Sequence, residues 1–143
     1  MDLPNRAGLA GRGGQPEWAC SGCRVNEEAG IDVRLAMLEK VLLAFSTFPD
    51  AETARRISKL LVEEKLAACA NIFPAIESVY RWKGKIETGQ EMIAFFKTSE
   101  DRHVAFQEKL RSLHPYELPE IIFVPIAAGL PEYLRWVVES CLN

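Results

Sequence analysis

A histidine and two glutamates fall close together in a short segment that contains two prolines. His114 is followed within six positions by Glu117 and Glu120. One imidazole with one or two carboxylates can hold a divalent ion, with water or a second chain completing the shell. The segment therefore predicts a metal contact at His114 and Glu117. A structural histidine, and an ion pair of Glu117 with Lys97 or an arginine, are the competing interpretations.

Four cysteines are the other groups that could bind metal or react. Cys20 and Cys23 form a C-x-x-C, a spacing that suits redox or zinc chemistry, but no second pair follows at zinc-ribbon distance, so two incidental thiols are the alternative. Cys69 is either a reactive thiolate or a small buried hydrophobe. Four thiols are too few for a disulfide scaffold, which predicts a reducing, cytoplasmic location.

Aromatic residues accompany these groups. Tyr80 and Trp82 are two positions apart and share one face of a predicted strand. With Lys97, Tyr116 and Glu120 they are predicted to line a cleft between subunits, the alternatives being aromatic packing in an interface and a solvated lysine.

The composition limits the classes of function. The 143 residues are 48% hydrophobic and 26% charged, which excludes disorder over the whole length and is typical of one globular domain. The net charge of −3 and the lack of a basic run predict no nucleic-acid partner. The apolar runs are too short for a transmembrane helix, so no membrane partner is expected.

Residues 1–36 differ from the rest of the chain. They hold six of the nine glycines and two prolines and have no hydrophobic period. We predict that they form a disordered extension without a secretory signal, dispensable for folding, and that the domain spans residues 37–143. Met37 stands directly before the first predicted strand and is a possible start.

The periodicity after Met37 predicts a βαββαβ order followed by one more helix. Strands are predicted at residues 41–45, 69–82, 85–97 and 121–124, the first and last as apolar runs buried on both faces. Asp50 is a plausible helix N-cap, Pro115 should end the second helix near His114, and Pro131 suits the first turn of the last. This order is the ferredoxin-like α+β pattern, a four-stranded antiparallel sheet with two helices on one face and an extra C-terminal helix.

The hairpin between the second and third strands is unusually long. Its arms of roughly 13 residues reach about 43 Å, whereas the radius of gyration expected for such a domain is about 13 Å. An isolated ribbon is marginal in water, which predicts docking on neighbouring subunits. The alternative is a hairpin bent by a bulge near Pro74 or Gly89. Gly84 is expected at positive φ in its turn.

Three segments together resemble the CutA divalent-cation tolerance family. They are LAACANI at 66–72, SVYRWKGKIE at 78–87 and HPYELPEI at 114–121, and the resemblance covers about residues 40–140. It implies a ferredoxin-like homotrimer similar to PII signalling proteins, with hairpins that wrap adjacent subunits. It also implies links to copper and other divalent cations.

The resemblance further implies metal ligands, which transfer to this chain only in part. A family cysteine at the end of the first strand corresponds to Ser46, and two adjacent histidines correspond to Leu113 and His114. A serine hydroxyl is a poor substitute for thiolate, since copper(I) favours soft sulfur. His114, Glu117 and Cys69, which matches another family cysteine, are the remaining metal candidates.

Two functions are therefore compared. The first is a non-enzymatic homotrimer that binds a divalent metal, copper by resemblance, with a sensing or signalling role. The second is an enzyme or ligand-binding trimer for a small anion, with His114 and Glu117 as an acid–base pair in an inter-subunit cleft. No Ser–His–Asp set or glycine-rich phosphate loop supports catalysis. A third possibility is a trimeric scaffold.

Overall fold

The computed structural model describes residues 40–142. The predictions about the extension at residues 1–36, the Cys20 and Cys23 pair and the start at Met37 lie outside these residues.

Four antiparallel strands form one sheet in the order β2-β3-β1-β4. The strands are β1 (Val41–Phe48), β2 (Cys69–Trp82), β3 (Lys85–Ser99) and β4 (Ile122–Pro125), and the helices are α1 (Ala51–Glu63), α2 (His103–Leu113) and α3 (Pro131–Ser140), with a 3-10 turn at Glu100–Arg102. The predicted ferredoxin-like βαββαβ fold with an added C-terminal helix is confirmed. None of the helices within residues 40–142 is long and apolar enough to cross a bilayer.

Helix boundaries follow the local signals in the sequence. The Asp50 carboxylate accepts the Thr53 N–H at 2.7 Å and caps α1. His114 is extended, with ψ 134°, as expected before a proline, and α2 ends at Leu113. Pro131 occupies the first turn of α3. These three predictions are confirmed.

The main core lies between the sheet and the helices α1 and α2. Ala44, Phe48 and Phe96 point from the sheet into this core, and Phe96 meets Phe106 of α2 edge to face at 5.1 Å between ring centroids. A smaller cluster forms on the opposite face, where Val41 packs with residues of α3. The faces differ because Val41 and Ala44 are three positions apart in one strand.

The face that α3 shares is covered only in part. Phe73 and Phe95 stack edge to face there at 5.1 Å, and Phe73 is exposed. Ile122 and Val124 of β4 are 41% and 43% exposed on the same face. The prediction that residues 121–124 are buried on both faces is wrong, because β4 is an edge strand and this chain's helices cover only one of its faces.

The long β2–β3 hairpin is confirmed, and it contains a bulge. Pairing runs out to Trp82 opposite Lys85, and the two-residue turn has Lys83 at φ 48° and Gly84 at φ 82°. Two β2 residues, at positions 74 and 75, stand opposite one β3 residue, after which regular pairing resumes. The hairpin is therefore both bulged near Pro74 and extended beyond the bulge. Val79 and Ile86 in the outer hairpin are 67% and 59% exposed.

Candidate functional site: an acidic, aromatic cleft beside the hairpin

His114 lies in a buried corner at the end of β1. Its Nε2 is 2.9 Å from the carbonyl oxygen of Thr47 and 3.4 Å from Ser46 Oγ. Its Nδ1 accepts the backbone N–H of Tyr116 at 3.2 Å. Because Nδ1 accepts, Nε2 carries the hydrogen and donates it to Thr47, which specifies the neutral imidazole with that tautomer.

The surroundings of His114 reinforce this neutral form. Burial lowers the pKa of His114, although the hydrogen bond to Thr47 and the charge of Glu91 oppose that effect. The ring stacks on Phe48 at 5.0 Å between centroids. Both ring nitrogens are occupied, so His114 could bind a metal only after the bond from the Tyr116 amide breaks. As it stands, the corner does not fit a metal ligand.

A cleft of about 690 Å³ lies between the outer hairpin and the segment that follows His114. It combines aromatic rings, apolar side chains and carboxylates. The lining residues are Thr47, Ser78, Val79, Tyr80, Arg81, Trp82, Glu91, Pro115, Tyr116, Glu117, Leu118 and Glu120. Five of the residues predicted from the sequence are therefore gathered here: Tyr80, Trp82, Tyr116, Glu117 and Glu120.

Tyr116 connects the buried corner with the cleft. Its backbone N–H binds His114, and its hydroxyl donates to Glu91 Oε1 at 2.7 Å. Burial raises the pKa of the Tyr116 hydroxyl, and the hydrogen bond to Glu91 adds to that rise. The phenol therefore stays protonated and holds the Glu91 carboxylate in place.

Glu120 is the second carboxylate whose ionisation is perturbed. Burial raises the pKa of Glu120, and the nearby negative charge of Glu91 raises it further. With Glu117 exposed on the same lining, the cleft carries three carboxylates against one guanidinium, that of Arg81. This balance favours a positively charged occupant.

Cys69 and Lys97 lie outside this cleft. They stand opposite each other where β2 begins and β3 ends. Cys69 Sγ is 3.5 Å from the hydroxyl of Tyr133 on α3, and Lys97 Nζ donates to Asn71 Oδ1. Burial raises the pKa of Tyr133 to about 12, with a further contribution from the bond to Cys69. The structure does not bring Cys69 or Lys97 to the other predicted residues.

The predicted metal ligands are thus distributed over three places in one chain. His114 is in the corner, Glu117 is in the cleft and Cys69 is beside α3. Across residues 40–142, no group of three or more histidine, cysteine, aspartate or glutamate side chains is arranged to hold a metal ion. Metal binding by this set stays a prediction, and it requires rearrangement or a second chain.

Glu91 is the functional residue that the sequence analysis missed. It is the acid next to an apolar run in β3, and only the sheet register places it near Tyr116, 25 positions away. A carboxylate in the middle of β3, directly before the apolar run from Met92 to Phe96, was the available signal.

Comparisons with known proteins show the family to which the sequence and the fold are similar. Residues 42–140 match the family described as CutA1 divalent ion tolerance protein. The divalent-cation tolerance protein CutA of Thermus thermophilus is 46% identical over 103 residues, which are 72% of this chain and 98% of that protein. Protein CutA of Mus musculus is 45% identical over 106 residues, and the match spans 72% of this chain but only 60% of the mouse protein. The crystal structure of CutA from Xylella fastidiosa aligns with a TM-score of 0.70 and 48% identity, covering 71% of this chain and 98% of that one.

Proposed function

Because this chain belongs to the CutA1 divalent ion tolerance family, we propose that it is a non-enzymatic homotrimer that binds a divalent, copper-type ion and acts in metal tolerance, sensing or signalling. The carboxylate-rich cleft is the observation that carries the divalent-cation part of this proposal, and the copper-type identity rests on the family resemblance alone. Glu91 and Glu120 are close enough for the charge of one to raise the pKa of the other. A divalent cation between such groups relieves their repulsion.

The proposed metal contacts begin with Glu117, which is exposed on the cleft lining beside Glu91 and Glu120. Carboxylate oxygens suit hard divalent ions, whereas copper prefers nitrogen and sulfur. His114 and Cys69 remain the predicted nitrogen and sulfur ligands. His114 can contribute once the hydrogen bond from the Tyr116 backbone N–H to its Nδ1 is broken. Cys69 contributes from a separate place, on the partly covered sheet face.

The proposed trimer uses two surfaces that one chain leaves exposed. The sheet face around Phe73, Ile122 and Val124 is apolar, and so is the outer hairpin with Val79 and Ile86. Large exposed apolar areas on a small domain are typical of assembly surfaces. In the assembly, Tyr80, Trp82, Lys97, Tyr116 and Glu120 would line a seam between copies.

Two further proposals concern location and extent. Cys69 and Cys141 are free thiols, which supports a reducing, cytoplasmic location. We also propose that residues 37–143 form the folding unit, so that removal of residues 1–36 leaves the melting temperature unchanged. A large drop in that temperature would refute the proposed boundary.

No catalytic role is proposed. A small anionic substrate would meet the three cleft carboxylates, and His114 is bonded to Thr47 and Tyr116 rather than paired with Glu117.

Calorimetry with copper(II) and zinc(II) on the full chain tests the metal proposal. Wild type should bind at micromolar metal, and Glu117→Gln, His114→Ala and Cys69→Ser should each bind more weakly. Glu139→Gln is the matched control, because Glu139 is exposed on α3 and outside the cleft. The proposal would be overturned if wild type took up no metal, or if all three variants bound metal as tightly as wild type.

Sedimentation equilibrium tests the assembly separately. A trimer has three times the chain mass of 16.1 kDa. A single-chain mass at working concentration would refute the trimer and the seam between copies.

A further inference from the structure

The aromatic rings of the cleft lie on the same side of the hairpin as one of its carboxylates. Tyr80 pairs with Glu87 and Trp82 with Lys85 across the hairpin. Glu91 is an even number of positions from both of these β3 partners, so its side chain lies on the same face of the strand. The segment after His114 adds the ring of Tyr116 and the carboxylate of Glu120 to the same cleft. From this juxtaposition we infer that the cleft binds a small organic ammonium cation.

The aromatic wall supplies the first element of recognition. An ammonium or methylated ammonium group is attracted to the face of an aromatic ring, most strongly to tryptophan. Lys83 already places its Nζ 5.7 Å from the centroid of the Trp82 ring. The Trp82 ring therefore accepts a cation carried on an alkyl chain, here that of Lys83, which an external ammonium ligand would replace.

The carboxylates supply the second element. The hydroxyl of Tyr116 holds Glu91 in place at 2.7 Å, and burial together with the Glu91 charge makes ionised Glu120 unfavourable. A positive ligand between these carboxylates lowers the free energy of the doubly ionised state. A neutral ligand of the same shape does not.

The size and lining of the cleft leave room for an organic cation, which is larger than a metal ion. Its volume of about 690 Å³ lies within the range usual for small-molecule sites. Pro115 and Leu118 supply apolar lining that a hydrated metal ion would not use. Apolar surface beside rings and carboxylates matches alkyl groups around a charged nitrogen.

This inference rests on the cleft used for the proposed function, and the test separates the two. Choline is the probe, and 3,3-dimethylbutan-1-ol, in which carbon replaces the charged nitrogen, is its neutral control. Binding to the full chain is measured by calorimetry in the presence of EDTA, so that no divalent metal takes part. Choline should bind about tenfold more tightly than the neutral alcohol.

Variants assign the binding to the two elements. Glu120→Gln and Trp82→Leu should each weaken choline binding by about tenfold, whereas Trp82→Phe should keep part of it. Glu139→Gln should bind like wild type. Circular dichroism shows whether each variant is folded, and Trp82→Phe keeps the test valid if Trp82→Leu does not fold.

Three outcomes would overturn the inference: no choline binding at millimolar concentration, equal binding of choline and the neutral alcohol, or unchanged binding in both Glu120→Gln and Trp82→Leu. Choline binding in EDTA without copper or zinc uptake would uphold this inference and overturn the metal proposal. Metal uptake without choline binding would do the reverse.

Discussion

The two ends of one short segment, His114 and Glu120, occupy contrasting environments. His114 is buried, stacked on Phe48 and hydrogen-bonded through both ring nitrogens. Glu120 is exposed at the cleft, and Glu91 adds a like charge close to it. Each environment favours the neutral form of its residue. However, the corner supplies hydrogen-bond partners for His114, whereas the cleft places a second carboxylate beside Glu120. A side chain such as His114, whose hydrogen-bonding atoms all have partners within the protein, contributes to stability. A carboxylate such as Glu120, which lies near a like charge, is available to bind a ligand.

The largest effect on this difference is expected from removing the Phe48 ring, which stacks on His114. Phe48→Ala should lower the free energy of unfolding by about 3–5 kcal/mol, because Phe48 is fully buried and stacks on His114. Urea denaturation measures the loss. Trp82→Ala, at the partly exposed ring of the cleft, is the matched comparison and should cost clearly less. Equal losses would show that the two regions do not differ in this way.

Tyr116→Phe tests the residue that joins the two regions. The variant keeps the backbone N–H that binds His114 but removes the hydroxyl that binds Glu91. Loss of a hydrogen bond to a charged group should cost about 1.5–3 kcal/mol. Urea denaturation gives the value, and an unchanged midpoint would mean that the Tyr116–Glu91 bond does not stabilise the fold.

The pH dependence of the unfolding free energy should distinguish buried His114 from Glu120 in the cleft. The pKa of His114 is lowered in the folded protein, so the unfolded chain takes up a proton more readily. The stability contributed by this group is present above its ordinary pKa of 6.5 and is lost as pH falls through the lower folded pKa. The loss should approach about 1.4 kcal/mol per pH unit below pH 6.5. The slope of unfolding free energy against pH should flatten in His114→Asn, and an unchanged slope would contradict the assignment.

Glu120→Gln should give the smallest effect, with the opposite sign. Because the pKa of Glu120 is raised on folding, its contribution is favourable at low pH and is lost as pH rises through the folded pKa. The neutral variant should therefore be more stable than wild type at pH 7, by less than about 1 kcal/mol for so exposed a group. The gain should vanish below the ordinary pKa of 4.5. Glu139→Gln is the control in thermal melts, and a loss of stability in Glu120→Gln would refute the repulsion.

Local rules were enough to predict much of the fold. The Asp50 cap, the end of α2 before Pro115 and the turn at Gly84 each depend on a few adjacent residues. The exposure of β4 was mispredicted because an apolar run does not indicate how many of its faces the chain itself covers.

The candidate site was less predictable, because its contacts join distant positions. Thr47 and His114 are 67 positions apart, and Glu91 and Tyr116 are 25 apart. These pairs form only once the register between β1, β3 and the later segment is known. Tyr80, Trp82, Tyr116, Glu117 and Glu120 were identified as chemistry-bearing residues, whereas Glu91, which accepts the hydroxyl of Tyr116, was not.

The extra residue in β2 determines which side chains the hairpin presents to Glu91. Phe73 pairs with Ile93, but Ile76 pairs with Glu91, so the alternation of faces is inverted beyond Pro74 and Ala75. Deleting one of these two positions would make the ladder regular and leave Tyr80 and Trp82 on the face of Glu91, because Phe73 and Ile76 would keep their β3 partners. A β2 strand that kept all its residues but lost the bulge would slip by one position along β3, and Val79 and Arg81 would then take the place of the two rings on that face.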